Sequence, residues 1–363
     1  MIKRKKMSKH CCSDSSDKNQ TKKQTEQNID YQKNPTLVNV TRGGIIESSH
    51  NGRICVVDIK GNIQLAMGEV EKPIYPRSSV KILLALPMAL SGAIEKYNLN
   101  AEELSVICSS HTGEERHTQV VKNILEKANL SENDLECGIH TPINKKQSYE
   151  LKKQGIKPNQ LHNNCSGKHV GMLLLAKMRN FDTAGYINPN HPVQQSIMGI
   201  FEMMCEYSLQ DAPSDRDGCS VPTWAIPMTN LAFAFAKISD PFAVLPNETA
   251  TAITKLRDSV IQEPFMVGGT NRCCTKIMQV LKHKAFVKYG AEAVYMASLP
   301  EYGLGIAIKI DDGSTRAVEV ALLRILDKIG VLSDKDKQQL ADLYKQPIIN
   351  CNGFTVGNVE PAF

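Results

Sequence analysis

The sequence lacks a long hydrophobic run, and this narrows the kinds of protein it can be. No stretch approaches the ~18 consecutive apolar residues that a membrane-spanning helix requires. The chain opens with "MIKRKKMSKHCCSDSSDKNQ", but polar residues follow where a secretory signal would have an apolar segment. We therefore expect a cytoplasmic protein with no membrane partner.

A strong charge of one sign is also lacking. The formal net charge is +5 over 363 residues, and much of this excess lies near the start of the chain. The remainder carries no basic footprint for nucleic acid, so no nucleic-acid partner is expected. Residues 1–34 are polar and nearly free of aliphatic side chains, which predicts a disordered tail before a folded domain at 35–363.

The cysteines do not form a recognisable disulfide framework. There are eleven of them, an odd number, at scattered positions and without an export signal. We expect reduced thiols, most of them small buried hydrophobic side chains, with a minority available as metal ligands or nucleophiles.

The order of the predicted elements indicates an α+β fold. The stretch "LVNVTRGGIIESSHNGRICVVDIKGNIQLAMG" alternates β-rich runs with glycine turns, which is typical of antiparallel strands. Helical segments fill the middle of the chain, and "FVKYGAEAVYMASLPEYGLGIAIKIDDG" returns to strands. The final "GFTVGNVEPAF" could add an edge strand. We predict one antiparallel sheet built from N- and C-terminal strands, with helices on its faces.

The stretch "YPRSSVKILLALPMAL" places a lysine beside a very apolar segment. It predicts a buried helix from Ser78 to about Tyr97, with Ser78 and Lys81 on one face at i, i+3 spacing. Burial disfavours a charged lysine, so Lys81 could act as a base for the serine hydroxyl. The alternative is an N-cap serine with a lysine that extends to the surface.

Three later stretches concentrate polar groups beside core elements: "CSSHTGEERH", "HNNCSGKH" and "VKYGAE". The last places Lys288 on a predicted strand, two residues before Gly290. Serine β-lactamases and penicillin-binding proteins pair an SxxK motif with a later KTG. Here "KYG" keeps the lysine and the glycine of that motif, and "SSH" replaces the SDN motif.

Six stretches, "RSSVK", "SSHTGE", "NNCSGKH", "DRDGCSVP", "VGGTNRCCT" and "VKYGAE", are similar in this order to the L-asparaginase II family, the Rhizobium etli-type or class 3 asparaginases. The resemblance runs from about Leu37 to the C-terminus. It implies a fold like that of serine β-lactamases, penicillin-binding proteins and glutaminases, and a homodimer. It also implies hydrolysis of L-asparagine to L-aspartate and ammonia through an acyl-enzyme.

The resemblance also implies roles for individual residues. Ser78 matches the nucleophile with Lys81 as its partner, and Ser110 with Lys288 matches a second serine–lysine pair. A zinc site is implied at Cys165, Lys168 and Cys274, although the neighbouring Cys273 could replace Cys274. The residues expected to orient substrate are Arg77, His111, Glu114, His169 and Asp217.

Two other interpretations stay open at this point. A related serine amidohydrolase could act on glutamine, or on a β-lactam or D-Ala peptide. A non-catalytic zinc-binding protein could use the same fold, with the serines and lysines in structural roles. From the residues alone, buried structural cysteines are also an alternative to the zinc site.

Overall fold

The computed structural model describes residues 34–363. The predicted disordered tail, residues 1–34, lies outside the described residues except for Asn34. The Asn34 side chain donates a hydrogen bond to Asp311 at 2.9 Å and accepts one from the Glu69 N–H at 2.9 Å. Asn34 is therefore part of the folded structure.

The strands come from the two ends of the described chain, with short pairs between them. They are β1 Thr36–Arg42, β2 Ile45–Asp58, β3 Ile63–Met67, β4 Pro73–Ile74, β5 Ser214–Arg216, β6 Pro222–Trp224, β7 Ile226–Pro227, β8 Phe286–Gly290, β9 Val294–Leu299, β10 Leu304–Ile310, β11 Gln346–Ile349 and β12 Thr355–Pro361.

The main sheet joins both ends of the described chain. Its eight strands follow the order β11-β12-β1-β2-β10-β9-β8, and β3 pairs with β2. All of these pairings are antiparallel; Val38 lies opposite Pro361, and Lys288 lies opposite Met296. The predicted α+β architecture is confirmed. The last strand, however, lies between β11 and β1 and not at the edge.

The helices lie mostly in the central part of the chain. They are α1 Lys81–Leu90, α2 Ala93–Lys96, α3 Ala101–Ile107, α4 Glu115–Lys127, α5 Lys145–Lys153, α6 Ser166–Arg179, α7 Pro192–Cys205, α8 Met228–Ser239, α9 Pro241–Val244, α10 Asn247–Gln262, α11 Pro264–Gly268, α12 Cys273–Leu281, α13 Thr315–Lys328, α14 Asp334–Gln339 and α15 Ala341–Tyr344. Among helices in the described range, none is long and apolar enough to cross a membrane.

The predicted helix from Ser78 to Tyr97 is divided into three parts. A 3-10 turn at Arg77–Val80 leads into α1, and Gly92, with φ 79°, separates α1 from α2. A left-handed glycine interrupts the regular backbone because it breaks the helical hydrogen-bond pattern. Helix α1 packs against α6, α7 and α10, and its residues from Lys81 to Ala89 are buried. Its first residue therefore lies inside the core.

Both faces of the sheet centre are covered. All six residues of β9 are buried, which requires cover on both faces because neighbouring strand residues point in opposite directions. Helices α8 and α13 both pack against β9 and β10. At Gly305 the approach of α8 is so close that an added Cβ would lie 2.0 Å from the Ala232 carbonyl oxygen. This packing fixes the sheet that carries Lys288.

Candidate active site

The turn that carries Ser78 has an unusual backbone. Arg77, the residue before it, has φ 53°, in the left-handed region that non-glycine residues rarely occupy. The Arg77 side chain donates a hydrogen bond to the Asp217 carboxylate at 2.7 Å. Ser79 is buried and donates to the Pro76 carbonyl at 2.6 Å, whereas Ser78 is half-buried. Such strain persists only where surrounding contacts hold it, and it is common at functional sites.

Lys81 is fully buried, as predicted, but does not pair with Ser78. Its Nζ donates to the Ser109 carbonyl at 2.5 Å and the Asn164 carbonyl at 3.4 Å, and lies 3.2 Å from Cys165 Sγ. No hydrogen bond joins Lys81 to Ser78 in the part of the chain that the structure describes. The i, i+3 prediction assumed one regular helix, whereas the backbone changes from a 3-10 turn to an α-helix between the two residues.

Ser110 and Lys288 form a direct pair. Lys288 Nζ donates to Ser110 Oγ at 3.0 Å and to the Tyr289 carbonyl at 2.8 Å. Burial lowers the pKa of Lys288 to about 7, and the charges of Lys81 and Arg272 contribute. A neutral amine next to a serine hydroxyl can accept its proton, so this pair has the chemistry of a base and a nucleophile or proton relay.

The residues of both predicted serine–lysine pairs lie in one site. Lys81 binds the Ser109 carbonyl, and the next residue, Ser110, accepts the hydrogen bond from Lys288. Strand β8, which carries Lys288, also approaches the Ser78 turn closely. A Cβ added at Gly290 would lie 2.9 Å from the Ser79 nitrogen. The fold therefore gathers the four predicted catalytic residues, which are Ser78, Lys81, Ser110 and Lys288.

A thiol–lysine cluster lies beside these residues. Lys168 Nζ donates to Cys219 Sγ at 2.8 Å, and the Cys165 and Cys219 thiols are hydrogen-bonded to each other. The hydrogen bond from Cys165 and the nearby Lys168 charge hold the pKa of Cys219 well below its usual range. Asp217 lies 4.0 Å from Lys168 Nζ and so links this cluster to Arg77.

Cys274, predicted as a zinc ligand, is not part of this cluster. Its sulphur lies 2.9 Å from the Tyr295 hydroxyl and accepts the Tyr289 N–H at 3.3 Å. The alternative, Cys273, also hydrogen-bonds Tyr295. Cys219, instead of Cys274, lies beside Lys168, on a turn in which the Asp217 N–H bonds the Val221 carbonyl at 2.8 Å. Its signal in the sequence was "DRDGC", where it follows Asp217 by two residues.

No group of three or more His, Cys, Asp and Glu residues in the described range is arranged to hold a metal ion. A metal bound at the thiol–lysine cluster would therefore need Lys168 as one of its ligands. The low pKa of Cys219 favours its thiolate form, which can bind a cation. Burial opposes the charge on Lys168, but the thiols and Asp217 raise its pKa overall. The hydrogen bond with Cys219 and burial raise the pKa of Cys165 to about 12, so metal binding would have to release a proton from each of these two groups.

Two of the predicted substrate-orienting residues are engaged by the protein itself. His111 Nδ1 accepts the Gly113 N–H at 3.1 Å, so its Nε2 carries the hydrogen that bonds Ser166 Oγ at 2.9 Å. Burial keeps its pKa well below the usual value. The Glu114 carboxylate accepts three hydrogen bonds, from the Thr112 hydroxyl and from the backbone and hydroxyl of Thr270. Both residues therefore hold loops together.

His169 differs because one of its ring nitrogens has no protein partner. Its Nδ1 lies 2.7 Å from the Tyr186 hydroxyl, and its buried Nε2 has no hydrogen-bond partner among residues 34–363. Burial and the neighbouring Lys168 lower the pKa of His169 to about 3, so the ring is neutral. Because this nitrogen is buried, the role predicted for His169 in orienting substrate stays a prediction.

A narrow pocket of about 10 Å³, room for about one water molecule, lies beside the Arg77–Asp217 pair. Lys168 lines its polar side, and Phe201 and Trp224 line its apolar side. Larger open grooves in the described chain, such as that between α1 and α10, lie away from the serine–lysine pairs. A ligand larger than water would have to separate the Arg77–Asp217 pair or displace other lining side chains to bind in this pocket.

Comparison with known proteins connects this geometry to a family. A family model described as L-asparaginase II matches residues 38–361. No curated protein matches the chain. Among solved structures, a β-lactamase from Mycobacterium bovis is 12% identical with a TM-score of 0.39, covering 76% of this chain and 94% of that one. A D-alanine carboxypeptidase from Burkholderia cenocepacia is 11% identical with a TM-score of 0.38, covering 76% and 93%. The predicted likeness to such structures is found, but at these TM-scores it carries no further conclusion.

Proposed function

Because this chain belongs to the L-asparaginase II family, we propose that it is an L-asparaginase. It hydrolyses the side-chain amide of free L-asparagine to L-aspartate and ammonia. The family supports a serine amidohydrolase acting on a small amide. The observation that carries the proposal is the Ser110–Lys288 hydrogen bond, in which a buried lysine with a pKa of about 7 contacts a serine hydroxyl beside the Ser78 turn.

The proposed reaction has two covalent steps. Ser78 Oγ attacks the carboxamide carbon, the C–N bond breaks, and ammonia leaves with the proton that the serine gives up. Water then attacks the aspartyl ester, which releases L-aspartate and restores the serine hydroxyl. An ester intermediate divides one difficult displacement into two easier ones. The half-buried position of Ser78 on the left-handed Arg77 turn is consistent with a hydroxyl presented to a ligand.

Proton transfer is assigned to the lysines. The family resemblance implies that Lys81 accepts the proton of Ser78. The geometry instead favours Lys288, acting through Ser110, as the group that accepts and returns protons. Lys81 has its described hydrogen bonds to the carbonyls of Ser109 and Asn164 and to Cys165. The bond to Ser109 holds the loop of Ser109 and Ser110 against α1. Lys81 therefore positions this loop whether or not it also transfers a proton.

Substrate orientation is assigned to groups around the small cavity. The Arg77 guanidinium suits the substrate α-carboxylate, and Asp217 suits the substrate ammonium. His169 does not line this cavity, so no contact with the substrate is assigned to it. An α-amino acid carries both charges, so it could exchange for the Arg77–Asp217 ion pair. Discrimination against glutamine then depends on cavity depth, because one methylene is worth only ~1–3 kcal/mol.

We also propose that the thiol–lysine cluster holds Zn²⁺ through Cys165, Lys168 and Cys219. Cysteine thiolates are among the ligands that zinc prefers. A bound ion would supply positive charge close to Asp217 and the substrate cavity. No step of the hydrolysis is assigned to it, because the serine already supplies the nucleophile.

The experiment that tests the function is a substrate panel. Purified protein is assayed for ammonia release from L-asparagine and L-glutamine, and for opening of the β-lactam nitrocefin. The proposal predicts fastest turnover of asparagine and an aspartyl adduct of Ser78 that mass spectrometry detects after acid quenching. Preference for glutamine or nitrocefin would support the related amidohydrolases instead, and activity with none would contradict the proposal.

Location and assembly are proposed from the sequence and the family resemblance alone. We propose a cytoplasmic homodimer. Light scattering on the purified full chain tests the assembly, and a monomeric mass at micromolar concentration would contradict it.

A further inference from the structure

A stack of rings leads from the protein surface to the loop that carries Ser110. The Arg116 guanidinium lies 5.2 Å from the centre of the Phe265 ring. Phe265 stacks on His117 at 4.8 Å and 9°, and His117 stacks on His111 at 4.9 Å and 11°. His111 directly follows Ser110, so the innermost ring of the stack adjoins the serine that contacts Lys288.

His117 also holds a second segment of the site. Its Nε2 donates to the Phe265 carbonyl at 3.2 Å. Two residues later, the Val267 carbonyl accepts the Ser110 N–H at 3.0 Å. Ser110 is therefore held by its own loop and by the 265–267 segment. His117 contacts both of them, one by its ring face and the other by a hydrogen bond.

The two segments leave little room for His117 to move. Gly269 has φ 110°, and a Cβ added there would lie 2.0 Å from Thr112 Oγ1, 2.6 Å from Glu114 Oε1 and 3.2 Å from His117 Cε1. A tightly packed interface of this kind transmits displacements instead of absorbing them. A change in the His117 ring would therefore shift the Ser110 loop relative to the 265–270 segment.

We propose that His117 is a positioning residue for the reaction: its ring, held between His111 and Phe265, keeps Ser110 Oγ at hydrogen-bond distance from Lys288 Nζ. His117 does not touch the reacting atoms, and it acts through His111 and Val267. The inference rests on the proposed function, because it assigns a catalytic role to the Ser110–Lys288 pair.

The protonation state of the stack agrees with this role. His117 Nε2 carries the hydrogen donated to Phe265, and its buried Nδ1 has no partner within the described residues. Burial lowers the pKa of His117; the Phe265 carbonyl, Glu114 and Glu102 oppose this shift, and Arg116 adds to it. The neighbouring His111 is neutral for the reasons given above. Two neutral rings can stack face to face without charge repulsion.

The test compares His117→Leu with His117→Phe. Leucine removes the stack, and we expect kcat to fall on the order of 100-fold with KM nearly unchanged, because misplacement of a catalytic group by ~1 Å costs about that much. Phenylalanine restores the stack but not the hydrogen bond, and should recover most of the lost kcat. The matched control is His50→Leu, the same change at a buried histidine that instead bonds Asp312 and Arg316.

A second readout does not depend on turnover. The pKa of Lys288, followed by NMR of labelled lysine, should rise in His117→Leu, because burial is what lowers it and water enters when the Ser110 loop moves away. It should stay near the wild-type value in His117→Phe and His50→Leu. An unchanged kcat or an unchanged Lys288 pKa in folded His117→Leu would overturn the inference, and so would a His117→Phe variant as impaired as the leucine variant. Wild-type protein inactive on every amide would instead contradict the proposed function.

Discussion

The two predicted serine–lysine pairs have opposite outcomes in the structure. Ser78 and Lys81 are three residues apart, yet their side chains form no hydrogen bond in the described structure. Ser110 and Lys288 are separated by 178 positions and are hydrogen-bonded at 3.0 Å. The serine–lysine hydrogen bond that is observed therefore depends on the sheet that carries Lys288, and not on closeness in the sequence.

The surroundings of the two lysines also differ. Lys81 has carbonyl acceptors from two loops and a thiol, whereas Lys288 has one carbonyl and the Ser110 hydroxyl. Burial lowers the pKa of Lys288 to about 7. This contrast suggests a division of roles, in which the first pair provides the attacking serine and the fixed loop, and the second moves protons.

Ser78→Ala gives the largest expected effect, because it removes the proposed nucleophile. We expect ammonia release from asparagine to fall roughly 10⁴–10⁶-fold. Ser79→Ala is the matched control, since within the described residues its hydroxyl bonds the Pro76 carbonyl alone, and it should lower stability by about 1 kcal/mol with little change in rate. Equal losses of activity in Ser78→Ala and Ser79→Ala would contradict Ser78 as the nucleophile. An acyl adduct on Ser110 instead of Ser78 would assign the nucleophile to the Ser110–Lys288 pair.

Lys288→Met should have the next largest effect. A general base contributes roughly 10²–10⁴-fold, so kcat/KM should fall within that range. In the wild type, kcat/KM should rise with pH through about 7, because only the neutral amine accepts a proton. The pH–rate profile of the variant should lack this step. A wild-type rate that falls as pH rises through 7 would contradict the role.

The same lysine should affect stability with a definite sign. Between about 7 and the ordinary lysine pKa of 10.5, the unfolded chain binds a proton at Lys288 that the folded chain does not. The free energy of unfolding contributed by this group therefore rises with pH across that window. Urea unfolding measures the free energy of unfolding of the wild type and of Lys288→Met. The difference between the two values should narrow from pH 7 to pH 10.

Cys219→Ser tests the metal proposal and should have a smaller effect on rate, since no step is assigned to the ion. Its zinc content, measured by plasma mass spectrometry after dialysis, should fall to background. Cys274→Ser is the control because its sulphur contacts Tyr295 and Tyr289 instead. Retained zinc in Cys219→Ser together with loss in Cys274→Ser would favour the assignment made from sequence.

Glu114→Gln gives the smallest expected effect and perturbs only the second pair. The carboxylate joins the Ser110 loop to Thr270, and its loss should lower stability by about 1–3 kcal/mol. Burial opposes ionisation of Glu114, but its hydrogen bonds lower its pKa, so its contribution is present at neutral pH and is lost in acid. Urea unfolding at pH 7 and pH 4 should show a wild-type advantage that shrinks at the lower pH.

Much of the fold followed from local patterns. Alternating β-rich runs and turns at both ends of the chain predicted the antiparallel sheet, and β8 lies where "VKYG" placed it. The helix predicted from Ser78 to Tyr97 was too long, because apolar residues on every side do not reveal where Gly92 turns left-handed. The position of β12 was also wrong, because strand order depends on long-range pairing.

The sequence by itself determined the family and the residue types of the site, because six ordered motifs and an apolar helix beside Lys81 are local features. Only the tertiary structure decided which groups meet. It placed Cys219 instead of Cys274 beside Lys168, and it turned Lys81 toward Ser109 instead of Ser78. It also brought Lys288 on β8 to Ser110, a pair that the family resemblance had implied and no local pattern had. These partners lie on separate elements, so their contacts depend on how the helices pack around α1 and on the register of the sheet, which no local pattern encodes.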